Sequence, residues 1–316
     1  MKRRSYILTC LIIAAFVSMP ALAAPPTTRP AATQAEQTPQ FLRFVEDGNG
    51  GGKLEAAIVT YKNAGGVTVH LVSALHVAEK SFYDGLQKDF AKYDVLLYEM
   101  VKMKDAPPPQ PGERSNSAIS GFQRFLKNSL DLDFQLDDID YTKSNFVNAD
   151  LDYETFSRLQ DERGESIMGI MLQSMLREWR RQLEGEGQQG PQPGMLELLV
   201  ALKAPDRSRQ LKLLLARQFD NIEDQMAGLT GPNGSVIITE RNKAAMAALK
   251  TAIADGKKNI GIFYGAGHMR DMEQRVIAMG FHPVSIEWRV GWDMTIKPGD
   301  PATKPTTRAL FENAMP

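Results

Sequence analysis

Ile260-Gly261-Ile262-Phe263-Tyr264-Gly265-Ala266-Gly267-His268 is a short apolar run that ends in two glycines and a histidine. Five residues from Ile260 to Tyr264 suit a buried strand, and Met269, Met272 and Val276 then recur at helical spacing as far as Gly280. A strand passing through a glycine loop into a helix is the building unit of an α/β sheet. In open sheets of that kind ligands gather beyond the carboxyl ends of the strands, where His268 stands.

Working outward, a last strand is expected within Phe281–Trp288, and Thr239 is placed to cap a preceding helix that carries Met246, Leu249 and Ile253. Near the other end, Leu54–Lys62 and Val67–Ser73 read as strands joined by Asn63-Ala64-Gly65-Gly66, a turn of hairpin length. Phe82, Leu86 and Phe90 form a helical stripe within Glu79–Tyr93, and Asp94–Met100 is a short apolar run suited to a further buried strand. Between the blocks, Met168, Met171, Leu172, Met175, Leu176, Trp179 and Leu183 recur at three and four, as do Leu211, Leu215, Phe219, Ile222, Met226 and Leu229. The expected fold class is therefore α/β: a central mixed sheet flanked by helices, with a large helical insertion at about 116–230 between two α/β blocks. The methionines of that insertion read as core packing.

The ends have a different composition. Lys2, Arg3 and Arg4 precede an apolar run from Tyr6 to Met19 and then Ala21-Leu22-Ala23, the order of a secretory signal peptide over 1–23. That run of about 14 residues is shorter than the roughly 20 a spanning helix needs, so no stable membrane span is expected after cleavage. Residues 24–40 read as a flexible Pro/Thr/Ala/Gln linker, 41–292 as the folded domain and 293–316 as a flexible tail. Localisation is accordingly expected to be extracytoplasmic, periplasmic or secreted. With 37 Lys and Arg against 38 Asp and Glu in the 316-residue chain, and a net charge of −4 after cleavage, nucleic acid is a poor partner. Cys10, in the apolar run, is the one cysteine, so a disulfide scaffold and a cysteine nucleophile are both excluded.

Three polar residues stand where strands run out: His76 after Val67–Ser73, Glu99 near the end of Asp94–Met100, and His268 after Ile260–Tyr264. If these strands are parallel neighbours, the three side chains meet. Ser73-Ala74-Leu75-His76 and Gly265-Ala266-Gly267-His268 each place a small residue three before the histidine, which lets the chain turn and aim the ring back over the strand end. Two imidazoles and a carboxylate form a facial set for a divalent transition metal, zinc among them, with positions left for water and substrate. Such a metal lowers the pKa of bound water and polarises a carbonyl, and Glu99 either binds the metal or takes the water's proton. Arg241, opening a helix within Glu240-Arg241-Asn242, is a candidate to stabilise an oxyanion or clamp a substrate carboxylate. His70, mid-strand, and His282, before Pro283, read as structural. Gly265-x-Gly267 also has the start of a dinucleotide fingerprint, but Arg270 stands where its third glycine belongs.

Taken together, Leu71-Val72-Ser73-Ala74-Leu75-His76-Val77, Leu96-Leu97-Tyr98-Glu99-Met100, Glu240-Arg241-Asn242 and Gly265-Ala266-Gly267-His268 resemble the TraB/Tiki family, which is related to the erythromycin esterase and ChaN-like proteins. The resemblance covers about 54–103 and 236–287. It implies paired Gly-x-x-His motifs with His76 and His268 as the motif histidines, Glu99 as the strand-end acid and Arg241 as the helix-start arginine. It departs at Ser73, where the family usually has glycine. By resemblance the activity is metal-dependent hydrolysis of a peptide or small-molecule substrate, with manganese or cobalt as the metal. Asp150, within 145–150, is a possible additional site residue, as are Asp140 and Tyr141. The ChaN-like relatives bind haem, so the alternative is a non-catalytic haem- or peptide-binding protein.

Overall fold

A computed structural model describes residues 41–110, 127, 129–165, 193–219 and 234–296. The hairpin forms as the turn chemistry requires: β2 (Gly52–Lys62) pairs antiparallel with β3 (Thr68–Ala74), and Gly66 supplies a positive φ of 75° at the turn. β1 (Leu42–Glu46) lies beside the first half of β2, on the edge that β3 occupies further along. The remaining strands are β4 (Val77–Ala78), β5 (Val95–Tyr98), β6 (Asp133–Phe134), β7 (Phe146–Asn148), β8 (Asn259–Gly265) and β9 (His282–Asp293). β4 and β6 pair only with each other, whereas β9 runs along the other side of β2. The main sheet thus reads β9-β2-β3-β8-β5-β7, with antiparallel pairing on the β2 side and parallel pairing from β3 to β7. It is a mixed sheet with helices on both faces, the α/β class that the alternating pattern predicts.

The central position of β8 matters most for function. β3 and β5, far apart from β8 in sequence, flank it on either side and run parallel to it, so all three carboxyl ends open at one edge. β8 is glycine-containing for a packing reason at Gly261, where an added Cβ would come 2.4 Å from the Tyr93 ring.

Two apolar layers hold the sheet. On one face lies α1 (Lys80–Phe90), whose Phe82, Tyr83, Leu86 and Phe90 are buried as their spacing predicts. The same face is covered by α4 (Pro193–Lys203) and α5 (Arg207–Phe219), through Ala201, Leu211, Leu213 and Ala216. On the other face, α6 (Arg241–Ala254) contributes Ala245, Met246 and Leu249, and α7 (Ala266–Ala278) contributes Met269, Met272 and Val276. Each such large apolar side chain, fully removed from water, stabilises by about 1.5–3 kcal/mol. Between the layers in sequence come the single turn α2 (Gln135–Asp138) and α3 (Tyr153–Arg163), which Asp152 caps by accepting from Thr155 N at 2.9 Å and Gly164 ends in the left-handed conformation.

Several local expectations change. The span read as helical also holds β6 and β7, too short to show a period-2 pattern. β9 continues to Asp293, beyond the last strand expected. The cap before α6 is Ser235, whose hydroxyl accepts from Ile238 N at 3.1 Å, while Thr239 Oγ1 accepts from Ser235 N. Between them the chain makes a π-helical turn, Val236–Glu240, which runs directly into α6. The signal-peptide and linker readings, most of the tail, the Met168–Leu183 stripe and Ile222, Met226 and Leu229 lie outside the described residues. Among the described residues, no helix is long and apolar enough to cross a membrane.

Candidate functional site

Parallel pairing brings the strand-end residues together at the mouth of β8. Glu99 follows β5 directly, its N–H donating to Phe263 O across the ladder at 3.0 Å. His268 lies in the first turn of α7, and His76 lies two residues past β3. A Cβ added to Gly265 would sit 3.3 Å from Glu99 Oε2, 3.6 Å from His76 Nε2 and 3.8 Å from His268 Cδ2. All three predicted side chains therefore surround one point. Gly265 has a φ of −53°, so its value here is the space left among these groups rather than a left-handed turn. Gly267 sits inside the first turn of α7, one residue before the histidine.

Glu99 is fully engaged. Its Oε2 accepts from Gly265 N at 2.6 Å, and its Oε1 accepts from Arg241 Nη2 at 2.6 Å and lies 3.7 Å from His268 Nε2. Burial opposes its ionisation, but Arg241 together with the Gly265 amide outweighs that and holds the carboxyl well below the usual carboxylate range. Arg241 is 5% exposed, not a solvated surface arginine. The π-turn delivers it as the first residue of α6, and its Nε and Nη2 grip Asp150 at 2.6–3.2 Å. Two carboxylates thus share one guanidinium, and burial with the neighbouring Glu99 charge pushes Asp150 up from its ordinary value. The clamp role expected for Arg241 is corrected by this geometry: Nε and Nη2 are spent on the protein's own carboxylates. Nη1, 3.5 Å from His268 Nε2, is the donor directed toward the histidine side of the site.

Asp150 is held in its own right. Asn148 Oδ1 accepts from its N–H at 3.0 Å, Asn148 Nδ2 donates to Met100 O at 2.9 Å, and the Tyr264 hydroxyl donates to Ala149 O at 2.7 Å. Asp140, by contrast, binds Thr142 and Lys143 on the surface, away from these groups.

Amide side chains set the two imidazoles. His268 Nδ1 contacts Asn242 Oδ1 at 2.7 Å, while Asn242 Nδ2 donates to His268 O and to Asp271, which fixes the amide so that its oxygen faces the ring. His268 Nδ1 therefore carries the proton and Nε2 presents a lone pair. Burial pushes this imidazole down to about 4, and the Arg241 charge adds to the fall, so it is neutral at pH 7. His76 is also held by an amide: its Nδ1 lies 3.1 Å from Gln135 Oε1, and Gln135 Nε2 lies 2.7 Å from the Tyr141 hydroxyl. His76 is half-exposed, whereas Glu99, Arg241 and His268 are all buried, so His76 is the site's opening toward solvent. Gln135 and Asn242 had no role in the sequence reading.

Ser73, in the first motif, is 1% exposed and its Oγ has no hydrogen-bond partner. His70 is tied to Thr60 and Asn259 and stacks on Tyr93, and His282 is exposed at the start of β9, so both stand apart from the site.

The donor kinds suit a divalent transition metal: two imidazoles, each held through its Nδ1, and an ionised carboxylate. Arg241 contests that place, since its fixed charge lies against both Glu99 and His268. Among the described residues, no group of three His, Cys, Asp or Glu side chains is spaced to hold a metal ion as it stands. Two cavities, of about 780 and 440 Å³, are lined by Tyr93 and Asn145 and by Thr68 and Asn259, at the amino ends of the parallel strands.

No family model, curated protein or solved structure matches this chain.

Proposed function

We propose that the chain is an exported hydrolase of TraB/Tiki type that cleaves a peptide or a related small carbonyl substrate at the mouth of β8. The observation that carries this reading is the meeting of His76, Glu99 and His268 around Gly265, with each imidazole held through its Nδ1 by an amide side chain. His76 Nε2, which faces the space beside Gly265, takes a proton from the attacking water and passes it to the departing amine or alcohol as the carbonyl–heteroatom bond breaks. Arg241 Nη1 donates toward the oxygen that gains negative charge, in a site dry enough for that bond to count. Glu99 and Asp150 hold the guanidinium in place, so no reorganisation is needed as charge develops. His268 keeps its proton on Nδ1 through Asn242 and offers Nε2 to the reacting centre.

A divalent metal of the manganese, cobalt or zinc class would be held by His76, Glu99 and His268, and His76 Nε2 would then be a ligand in place of the proton acceptor. Bound there, it supplies Lewis acidity and a water of lowered pKa. Haem capture has no comparable support: of the two histidines, His268 is 3% exposed, with no room left by the described residues for a macrocycle beside it.

The test is metal content and peptide hydrolysis of the purified protein after loading with manganese, cobalt or zinc, beside His76→Ala and His268→Ala. Near-stoichiometric metal in the wild type, its loss in both variants, and turnover that falls on chelation support the full reading. Turnover that survives chelation yet falls at least a hundredfold in His76→Ala keeps the hydrolase and removes the metal. Absence of turnover over a broad peptide and ester panel overturns the proposal.

A further inference from the structure

β9 leaves one side of the sheet open among the described residues. Among the described residues β2 is its only strand partner, and every residue from His282 to Glu287 is exposed, Val284 and Ile286 by 45% and 43%. An exposed edge of this length is a template for another strand. Its pairing with β2 skips Val284 and Gly291, so two bulges and Pro283 bracket a regular stretch from Ser285 to Val290.

That stretch is complementary to itself. An antiparallel pair related by a two-fold axis normal to the sheet keeps faces matched, so the axis must pass through a residue. Through Glu287 or Arg289 it sets like charges in direct opposition. Through Trp288 it sets Glu287 opposite Arg289 twice, and Ile286 opposite Val290 twice. Arg289 Nη2 already lies 3.0 Å from Glu287 and 2.9 Å from Asp89, so its guanidinium stands on the α1 side of the strand, where a second Glu287 would arrive. Trp288 stands on the opposite side, stacked under the Arg43 guanidinium at 3.9 Å.

We propose that Ile286–Val290 pairs antiparallel with the same segment of a second copy, centred on Trp288, joining two sheets into one. Five residues per strand cover less than the roughly 800 Å² per partner of a standard interface, so the dimer is expected to form in the micromolar range.

Sedimentation velocity on the purified protein from about 1 to 200 µM tests this. The wild type is expected to shift from monomer to dimer with concentration. Glu287→Arg and Arg289→Glu each place like charges in both pairs and raise the dissociation constant about tenfold or more. An equimolar mixture of the two variants recreates both attractive pairs and returns to within about threefold of wild type. Because Arg289→Glu also faces Asp89, a charge-neutral arm accompanies it: Ile286→Cys mixed with Val290→Cys yields a covalent dimer with a short bismaleimide, while Ile286→Cys alone does not. A monomer at every concentration, with the edge covered by the chain's own residues or reserved for another protein, overturns the proposal. So does a dimer that ignores both charge reversals, or one that the mixture fails to restore.

Discussion

Replacing Arg241 with leucine should make the protein's stability depend on pH in a direction opposite to that of most acid-labile proteins. In the wild type Arg241 is the positive partner of two buried carboxylates, Glu99 at 2.6 Å and Asp150 at 2.6 Å. Leucine leaves both acids without a cationic partner in a site where their side chains are 4% and 0% exposed. Breaking a buried pair from one side costs about 3–5 kcal/mol, so that loss is expected at pH 7. Both carboxyls then titrate above their unfolded values of about 4, because burial opposes charge. A group whose folded pKa is raised contributes stability in full below the unfolded pKa and loses it as pH rises through the folded value. The gap between variant and wild type should therefore close as pH falls from 7 toward 4, and Asp150→Asn combined with Arg241→Leu should recover part of it at pH 7. Urea unfolding at half-unit steps of pH, with the slope checked for constancy, gives the numbers. A loss under about 1 kcal/mol at pH 7, or one that stays constant down to pH 4, would refute the claim that Arg241 compensates two buried charges.

Three further outcomes follow from the same geometry. His268 titrates at about 4 in the fold against an ordinary 6.5, so stability present above pH 6.5 is lost as pH falls from there to 4, by about 3 kcal/mol; His268→Gln should flatten that part of the pH–stability curve measured by urea unfolding. Gln135→Leu removes the amide that holds His76 Nδ1, and nitrogen NMR should show a changed tautomer balance of the ring, with hydrolysis down about 10- to 100-fold. Ser73→Ala deletes a buried hydroxyl that has no partner, so thermal unfolding should show no loss and a gain of up to about 1 kcal/mol.

The sheet's centre was legible because the parallel strands there are apolar runs ended by glycine or an acid, and a run such as Ile260–Tyr264 admits few readings. The same rule placed His76, Glu99 and His268 at strand ends, and the parallel register of β3, β8 and β5 turned three separate positions into one cluster. β7 was hidden because three residues carry no periodicity, and with it the reason Asp150 lies beside Arg241. Burial of Arg241 is illegible for a different reason. An arginine opening a helix looks the same whether it faces water or two carboxylates, until the π-turn that rotates it inward is known. Gln135 and Asn242 were missed because an amide that holds an imidazole has no motif spacing, only a position in space.

The strand at the middle of the sheet is among the last to be synthesised. When a growing chain has produced β3 and β5, the neighbour they share is missing, because β8 must insert between them from more than 150 residues downstream. Contacts so distant in sequence are slow to form, and until they do the parallel half of the sheet exists as two separate edges. The ordering ties chemistry to completion: Glu99 has no Gly265 amide, no Arg241 and no His268 until the carboxyl-terminal block docks. A fragment ending before residue 259 would therefore carry His76 and Glu99 yet hold no assembled site, so a truncated or stalled chain lacks the cluster as a whole rather than in part.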